Sequence, residues 1–508
     1  MRTLQRNDQF INDLLNDRRV AVIKEIPTYC SCPPYHPSEE FPEWRGFYGW
    51  EIGKEDNPAY RAIRKVFLTL GFDSENYGST KWNPLKELIK PGDSVVIKPN
   101  WVVHKNQGEK VYGETDTDCL ITHGSVIRAV LDYVCRALEG DGCVIIADCP
   151  IQDTDWDALL KLTRIYEVRD YINKLFPGVG LEIRDYRVGQ AEVKGNRITR
   201  RITLKSKLDD YEEIDLGSES LLAPITNEST PFGVANYGFN RLKHAHNQQH
   251  HYYLLPRDII NASVFINLPK LKTHKKAGLT CALKNLVGVV GLKDYLPHFR
   301  IGSPKNGGDE YPDCNWLWDL RWWFGHKEWE LEGGILKQIL WLMERACGLA
   351  LRFSGSPGEY QSVSDGSWYG NDTLWRTILD LNIVLLYSSN KKYLAIADGL
   401  IAGHKESPLC PTPLPSGLCL GGKNPVALDA VASALLGFDF NKIQQIREGF
   451  CLTQFPLVKF SPHDIEIVGL PEVKNLQQLY DSHFYIQAEP SFGWKGHIEY
   501  VRRERGHD

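Results

Sequence analysis

The sequence predicts an α/β protein: a mostly parallel sheet flanked by helices, with a tryptophan-rich helical subdomain inserted into it. Three observations carry this expectation. Short apolar runs alternate with stretches of helical periodicity, as parallel strands joined by crossovers do. Chemically active side chains gather just beyond the ends of those runs. Finally, Trp316, Trp318, Trp322, Trp323 and Trp329 crowd one short segment that fits neither pattern.

The clearest unit runs from Lys90 to Pro150. Pro91-Gly92-Asp93 turns into the apolar run Ser94 to Ile97, which ends at Lys98, Pro99 and Asn100, so a strand followed by a polar loop is expected. Thr122 is placed to cap a helix whose apolar face is Val126, Ile127, Val130, Leu131, Val134 and Leu138, and Gly140-Asp141-Gly142 stops it. Cys143 to Ala147 supplies a second strand ending at Asp148. The design returns where Val264 to Leu268 leads into Pro269-Lys270-Leu271-Lys272, and where Tyr393 to Ala397 leads into Asp398. Leu418 to Leu420 likewise leads into Gly421-Gly422-Lys423-Asn424-Pro425 and a helix. Open parallel sheets bind ligands beyond the carboxyl ends of their strands, so one cleft is expected to collect these side chains.

The expected divisions are an N-terminal extension (1–83), the first part of the core (84–300), the tryptophan-rich insertion (301–375), the second part of the core (376–470) and a C-terminal extension (471–508). Within the insertion, the tryptophans either pack their own small core or form a stacking platform for a sugar or base. Val501 to Asp508 is charged and expected to fray.

A chain of 508 residues, 42% hydrophobic and 24% charged, can bury a sizeable core without staples. Its formal charge of −5 argues against a protein built to neutralise nucleic-acid phosphates, though not against a local basic patch. The first twenty residues alternate apolar and charged side chains, unlike a secretory signal. Twelve scattered cysteines then read as reduced thiols, and the expected location is cytoplasmic. Gly334 to Phe353 is the most helix-like apolar stretch, but Lys337, Gln338, Glu344 and Arg345 interrupt it; an amphipathic helix is expected rather than a membrane span. Nothing in the sequence sets the oligomeric state.

The richest segment, Asn267 to Gly291, places Lys270, Lys272, His274, Lys275, Lys276 and Lys284 around a glycine-containing turn. So much positive charge calls for relief, either by solvent on an open basic surface or by a carboxylate or phosphate ligand. Together with Val96-Ile97-Lys98-Pro99-Asn100, Ile121-Thr122-His123-Gly124 and Gly421 to Asp429, this segment resembles the family catalogued as "domain of unknown function 362", in blocks spanning about Lys90 to Phe438. The family name implies no settled reaction. The iron–sulfur module of some members is not implied here, because C-x2-C-x2-C-x3-C is absent.

A more local resemblance joins His274-x-x-Ala277-Gly278-Leu279-Thr280-x-x-x-Lys284 to a segment of nickel-pincer lactate racemases. It implies a cofactor-holding or phosphate-binding role for Lys284 and an acid–base role for His274, whereas the flanking sequence departs from the racemase pattern and gives no secure second histidine. A structural or simple substrate-binding role for both residues is the alternative. No cofactor is assigned.

For proton transfer the candidates are His274, Asp148 and Asp398, each Asp being equally able to support a loop or cap a helix. Asp429 follows Asn424-Pro425 in a first helical turn, where a structural role competes. Gly421 and Gly422 form either an anion nest or a tight turn. His244, His246, His250 and His251 suggest a divalent metal through the i, i+4 pair or, by default, surface or cleft-lining rings, and no metal is assigned. Cys30-Ser31-Cys32 reads as a loop. Walker, H-E-x-x-H, G-x-S-x-G and strand-linked G-x-G-x-x-G motifs are missing.

The expectation is therefore an enzyme acting on a small anionic metabolite, carboxylate or phosphorylated, by acid–base chemistry. Lys98, Lys270, Lys272 and Lys284 neutralise it, Asn100 and Asn285 orient it, Gly421 and Gly422 offer backbone donors, and His274 with an Asp moves protons. The competing reading is a non-catalytic binding or scaffold protein that uses the same cleft and grips a partner with the insertion.

Overall fold

A computed structural model describes residues 4 and 9–501, apart from 110–112, 195–196, 206–207, 236–238, 314–315, 332, 354–362 and 483. The C-terminal residues 502–508, expected to fray, lie outside the described residues, as does the side chain of Trp329.

The central sheet is built from β1 (Arg19–Lys24), β2 (Ser94–Pro99), β3 (Gly142–Asp148), β4 (Val179–Asp185) and β5 (Val264–Leu268), with β6 (Lys270–His274), β7 (Gly278–Thr280), β8 (Lys392–Glu406), β9 (Cys410–Gly422) and β10 (Glu466–Val468). Its order is β10-β1-β9-β8-β5-β2-β3-β4, and β6 pairs with the later half of β8 and with β7. The pairs among β2, β3, β4, β5 and β8 are parallel, as are β6–β8 and β1–β10; β9 runs antiparallel to both its neighbours, and β7 to β6. The mostly parallel α/β architecture expected from the sequence is present. Strand β1, from the first 83 residues, lies inside the sheet between β9 and β10.

Alternation along the strands explains why their apolar runs are unbroken. On one face Val95, Ile97, Val144, Ile146, Val264 and Ile266 pack with helices α1 (Pro58–Thr69) and α2 (Gly124–Leu138). Val20, Val22, Val96, Phe265, Ala395 and Ala397 belong to the core on the opposite face, shared with three later helices. These are α3 (Ala282–Asn285), α6 (Leu374–Tyr387) and α7 (Pro425–Leu435), whereas α4 (Trp316–Trp329) and α5 (Ile335–Phe353) make up the insertion. A strand covered on both faces needs apolar residues at successive positions, not at alternate ones.

Two local expectations need correction. The cap of α2 is His123, whose Nδ1 accepts from the Ser125 amide at 3.1 Å. Thr122 instead donates its hydroxyl to the Leu268 carbonyl at 2.7 Å and accepts from the Asn100 amide at 2.8 Å, tying β5 to the end of β2. Gly421 and Gly422 form no nest. Both are paired within β9, and a Cβ on Gly421 would sit 2.3 Å from Val66 Cγ1, so the residue is small because α1 crosses directly above it. The anticipated helix start does follow them: Asn424 Oδ1 accepts from the Val426 and Ala427 amides, both at 3.0 Å, with Pro425 in the first turn.

The insertion is a helical hairpin. Arg321 Nε of α4 donates to Glu344 of α5 at 2.7 Å, and Trp318, Trp322, Tyr311 and Leu351 form a small core of its own, as the packing account of the tryptophans requires. Trp316 and Trp323 remain exposed. Among the described residues no helix is long and apolar enough to cross a membrane.

Candidate functional site

A cleft of about 1440 Å³ opens at the carboxyl ends of β2 and β3. Its floor includes Lys98, Asn100, Asp148, Lys272, His274, Lys284 and Asn285; Lys293 and His298 line it, and Arg321, Trp322, Trp341, Arg345 and Leu349 come from the insertion. The structure thus brings seven of the predicted site residues into one hollow.

Lys98 and Asp148 anchor the floor. Lys98 Nζ donates to Asp148 Oδ1 at 2.8 Å, to the Pro99 carbonyl at 2.8 Å and to Asn285 Oδ1 at 3.3 Å. Asp148 also accepts from the backbone amides of Trp101 (2.6 Å) and Cys149 (2.7 Å). Burial pulls the Lys98 ammonium below its ordinary range, with Asp148 opposing it. The pair fits only because residue 288 is glycine: a Cβ there would lie 2.4 Å from Asp148 Oδ1 and 2.5 Å from Lys98 Nζ. Asn285 extends the network, accepting from Asn100 Nδ2 at 2.9 Å and donating to Asn267 Oδ1 at 2.7 Å. Asn100 Oδ1 and Thr280 Oγ1, both buried atoms of lining residues, have no partner among the described residues and would each be met by a polar ligand.

Lys284 is different. Its ammonium has no hydrogen-bond or ion-pair partner among the described residues, and it is pushed down to about 7 by burial and then by Lys293, Lys276 and Lys98. Lys272 donates to the Leu120 carbonyl and is likewise lowered to about 7, mainly by burial. Lys276, held by the Asp365 carbonyl, is lowered to about 8, again chiefly by burial. This is an electropositive hollow whose cations depress one another, the condition an anion relieves.

The two histidines carry complementary nitrogens. Burial, then Lys284 and Lys272, holds His274 well below its usual pKa and therefore neutral; its Nδ1 accepts from the Lys276 amide at 3.0 Å, which leaves the proton on Nε2. His298 is also held neutral, by burial first and Lys276 next, but its Nδ1 faces the Leu296 carbonyl at 2.7 Å and must donate, leaving a lone pair on Nε2. One ring offers a donor and the other an acceptor.

Asp429 supports Lys284 from below. Its carboxylate accepts from the amides of Ala282 (2.7 Å) and Leu283 (3.2 Å), capping the short helix α3 that carries Lys284. Removing it by Asp429→Ala leaves two buried amides unsatisfied and is expected to cost about 1–3 kcal/mol in chemical denaturation; an unchanged unfolding midpoint would show that the cap is idle.

Other predicted residues lie elsewhere. Lys270 pairs with Asp398 at 3.1 Å, Tyr29 hydroxyl donates to the same carboxylate, and the His123 amide reaches its other edge at 3.0 Å. That cluster is closed: Lys270 and Asp398 are fully buried and neither lines the cleft. Gly421 and Gly422 do not line it either. Of the histidine cluster, His246 and His251 face each other at 3.2 Å, and His250 pairs with Asp215 at 2.7 Å. No metal-binding group of His, Cys, Asp and Glu occurs among the described residues. The sequence reading missed Lys293 and His298, which lie past the segment that drew attention, and the lining residues from the insertion, whose approach is purely tertiary.

Comparison with known proteins adds the following. Residues 225–434 match the model of the family described as "Domain of unknown function (DUF362)". No curated protein matches the chain. A crystal structure of a Thermotoga maritima protein from a structural genomics programme aligns with 9% identity and a TM-score of 0.27, covering 73% of this chain. The chain spans 57% of that protein's length.

Proposed function

We propose, on the premise that residues 225–434 belong to the DUF362 family and that this membership fixes no reaction, that the protein is an enzyme moving a proton on a small anionic metabolite. One observation carries the reading: two neutral imidazoles, with opposite free nitrogens, line the same cationic hollow as the unpartnered Lys284. Lys284, Lys272 and Lys293 neutralise the carboxylate or phosphate, and Asn100 and Thr280 supply polar contacts. His298 Nε2 accepts the proton and His274 Nε2–H donates to the oxygen where negative charge develops. Fixed donors aimed at that oxygen in a partly dry hollow do most of the work. Asp148 is an anchor for Lys98 in this scheme, its oxygens being held by that ammonium and by two backbone amides. The attachment role that the racemase resemblance implies for Lys284 suits a side chain with no internal partner, and the proton-handling groups belong to the chain in either case.

The test combines binding with isotope exchange. Lys284→Met is expected to weaken phosphate or hydroxy-acid binding by tenfold or more in calorimetry without shifting the unfolding midpoint downward. In deuterated water, a panel of 2-hydroxy acids and phosphorylated metabolites is expected to include one whose carbon-bound hydrogen exchanges, and His298→Gln to stop that exchange while binding persists. Binding without exchange or product across the panel favours the ligand-holding alternative; binding indifferent to Lys284→Met sinks the site assignment.

A further inference from the structure

We propose that the α4–α5 hairpin docks on a lipid surface and that the cleft beneath it takes the anionic head of an amphiphile drawn from that surface, a carboxylate or phosphate ester carrying a long apolar chain. The proposal deepens the reading of the cleft as an anion site and rests on it.

The first observation is the outer face of α5. Among its described side chains, every exposed one except Gln338 and Arg345 is apolar. Ile335 is 77% exposed, Leu342 57% and Phe353 85%, with Ile339 and Leu349 between them on the same stripe. Over 19 residues this stripe runs about 28 Å. On the other helix of the hairpin, α4, Trp316, 71% exposed, and Trp323 add two more exposed rings. A soluble surface does not leave so long and broad a face bare, and no acidic side chain interrupts it on α5. Tryptophan and phenylalanine beside aliphatic side chains suit the boundary between headgroups and acyl chains, where a helix lies flat rather than crossing.

The second observation is continuity. Leu349 belongs both to the exposed stripe and to the lining of the cleft, where Trp341, Trp322 and Arg345 accompany it. At Leu349 the apolar face therefore meets the rim of the cleft whose floor carries Lys284. An ion with a tail matches that sequence of surfaces, head inward and chain along the hairpin. Charge also separates the possible occupants. Glu344 on this rim is taken by Arg321 at 2.7 Å and Glu328 by Lys337 at 3.4 Å, which leaves Arg345 as the rim cation without an ion-pair partner among the described residues. A second copy would set two Arg345 side chains against each other, whereas a surface containing anionic lipid complements them.

Vesicle co-sedimentation tests the docking. The full chain is expected to pellet with phosphatidylcholine vesicles containing 20% phosphatidylglycerol, and Ile339→Glu/Leu342→Glu, at two exposed positions off the cleft, to lower the bound fraction at least tenfold. Decyl phosphate below its micellar concentration is expected to bind at least tenfold more tightly than inorganic phosphate, and Leu349→Gln to erase that advantage while inorganic phosphate still binds. A wild type that stays in the supernatant overturns the proposal. So does sedimentation velocity showing a dimer that the double glutamate variant dissolves, without vesicle binding. If either happens while inorganic phosphate still binds in a Lys284-dependent way, only the lipid proposal falls. If phosphate does not bind, the reading of the cleft falls too.

Discussion

Lys98→Met is expected to destabilise the protein by roughly 3–5 kcal/mol, the usual cost of removing one partner from a buried ion pair. Methionine fills much the same space, so the loss is electrostatic rather than steric. Asp148 is only 3% exposed and would keep two backbone amides but lose its hydrogen-bonded counter-charge, with Lys272 acting only at longer range. Gly288 lies against both charged groups and closes the pair on one side, so solvent reaches Asp148 only from the cleft. The double variant Lys98→Met/Asp148→Asn is expected to recover most of the loss, since an amide tolerates burial without a cation. Urea denaturation measures all three proteins; a single-variant cost below about 1 kcal/mol would mean that the charges are not paired in solution.

The second large effect is a pH dependence of opposite sign for the empty and the occupied cleft. Phosphate affinity is expected to fall at least about fiftyfold between pH 7 and pH 9, the loss for a single contacting ammonium that is half-protonated at pH 7, and further where two contribute. Lys284 and Lys272, both lowered to about 7, are the groups that lose charge. The unliganded protein behaves the other way. Each lysine titrates lower in the folded state than its ordinary 10.5, so its burial is a full cost below about pH 7. Between pH 7 and about 10 the unfolded chain holds more protons than the folded one, and stability rises through that window as far as these groups contribute. Calorimetry with phosphate and unfolding without it should therefore diverge as pH rises. An affinity flat from pH 6 to pH 9 would remove these ammonium groups from the site.

What the sequence made legible followed local rules. The strand from Ser94, the helix from Gly124 and the strand to Asp148 were readable because turn residues bracket each apolar run and each element is buried on predictable positions. Fold class and the lysine-rich floor followed from the same pattern. What escaped was set by distant contacts. Lys270 and Lys272 are two residues apart on β6, which suggests a shared fate, yet Lys270 is closed off by Asp398 and Tyr29 while Lys272 reaches the cleft. Tyr29 lies 241 residues from Lys270, beyond any local signal. Gly421-Gly422 suggests a backbone nest because glycine before a helix often is one; here the close passage of α1 over the strand demands glycine at 421, while at 422 an added Cβ would meet the Arg19 carbonyl at 3.1 Å. His298 carried no motif at all, and only its place opposite His274's segment gives it meaning.

The place of β1 in the sheet has a consequence for biosynthesis. Ala21 pairs with Gly421 and Val468, so the strand is made roughly 400 residues ahead of its partners. At about 5–20 residues per second on the ribosome, Val20 to Ile23 wait roughly 20–80 s without a neighbour. Throughout that interval a short apolar β-former is open to mispairing or to chaperones, and the synthesis of β9 and β10 decides when it is enclosed.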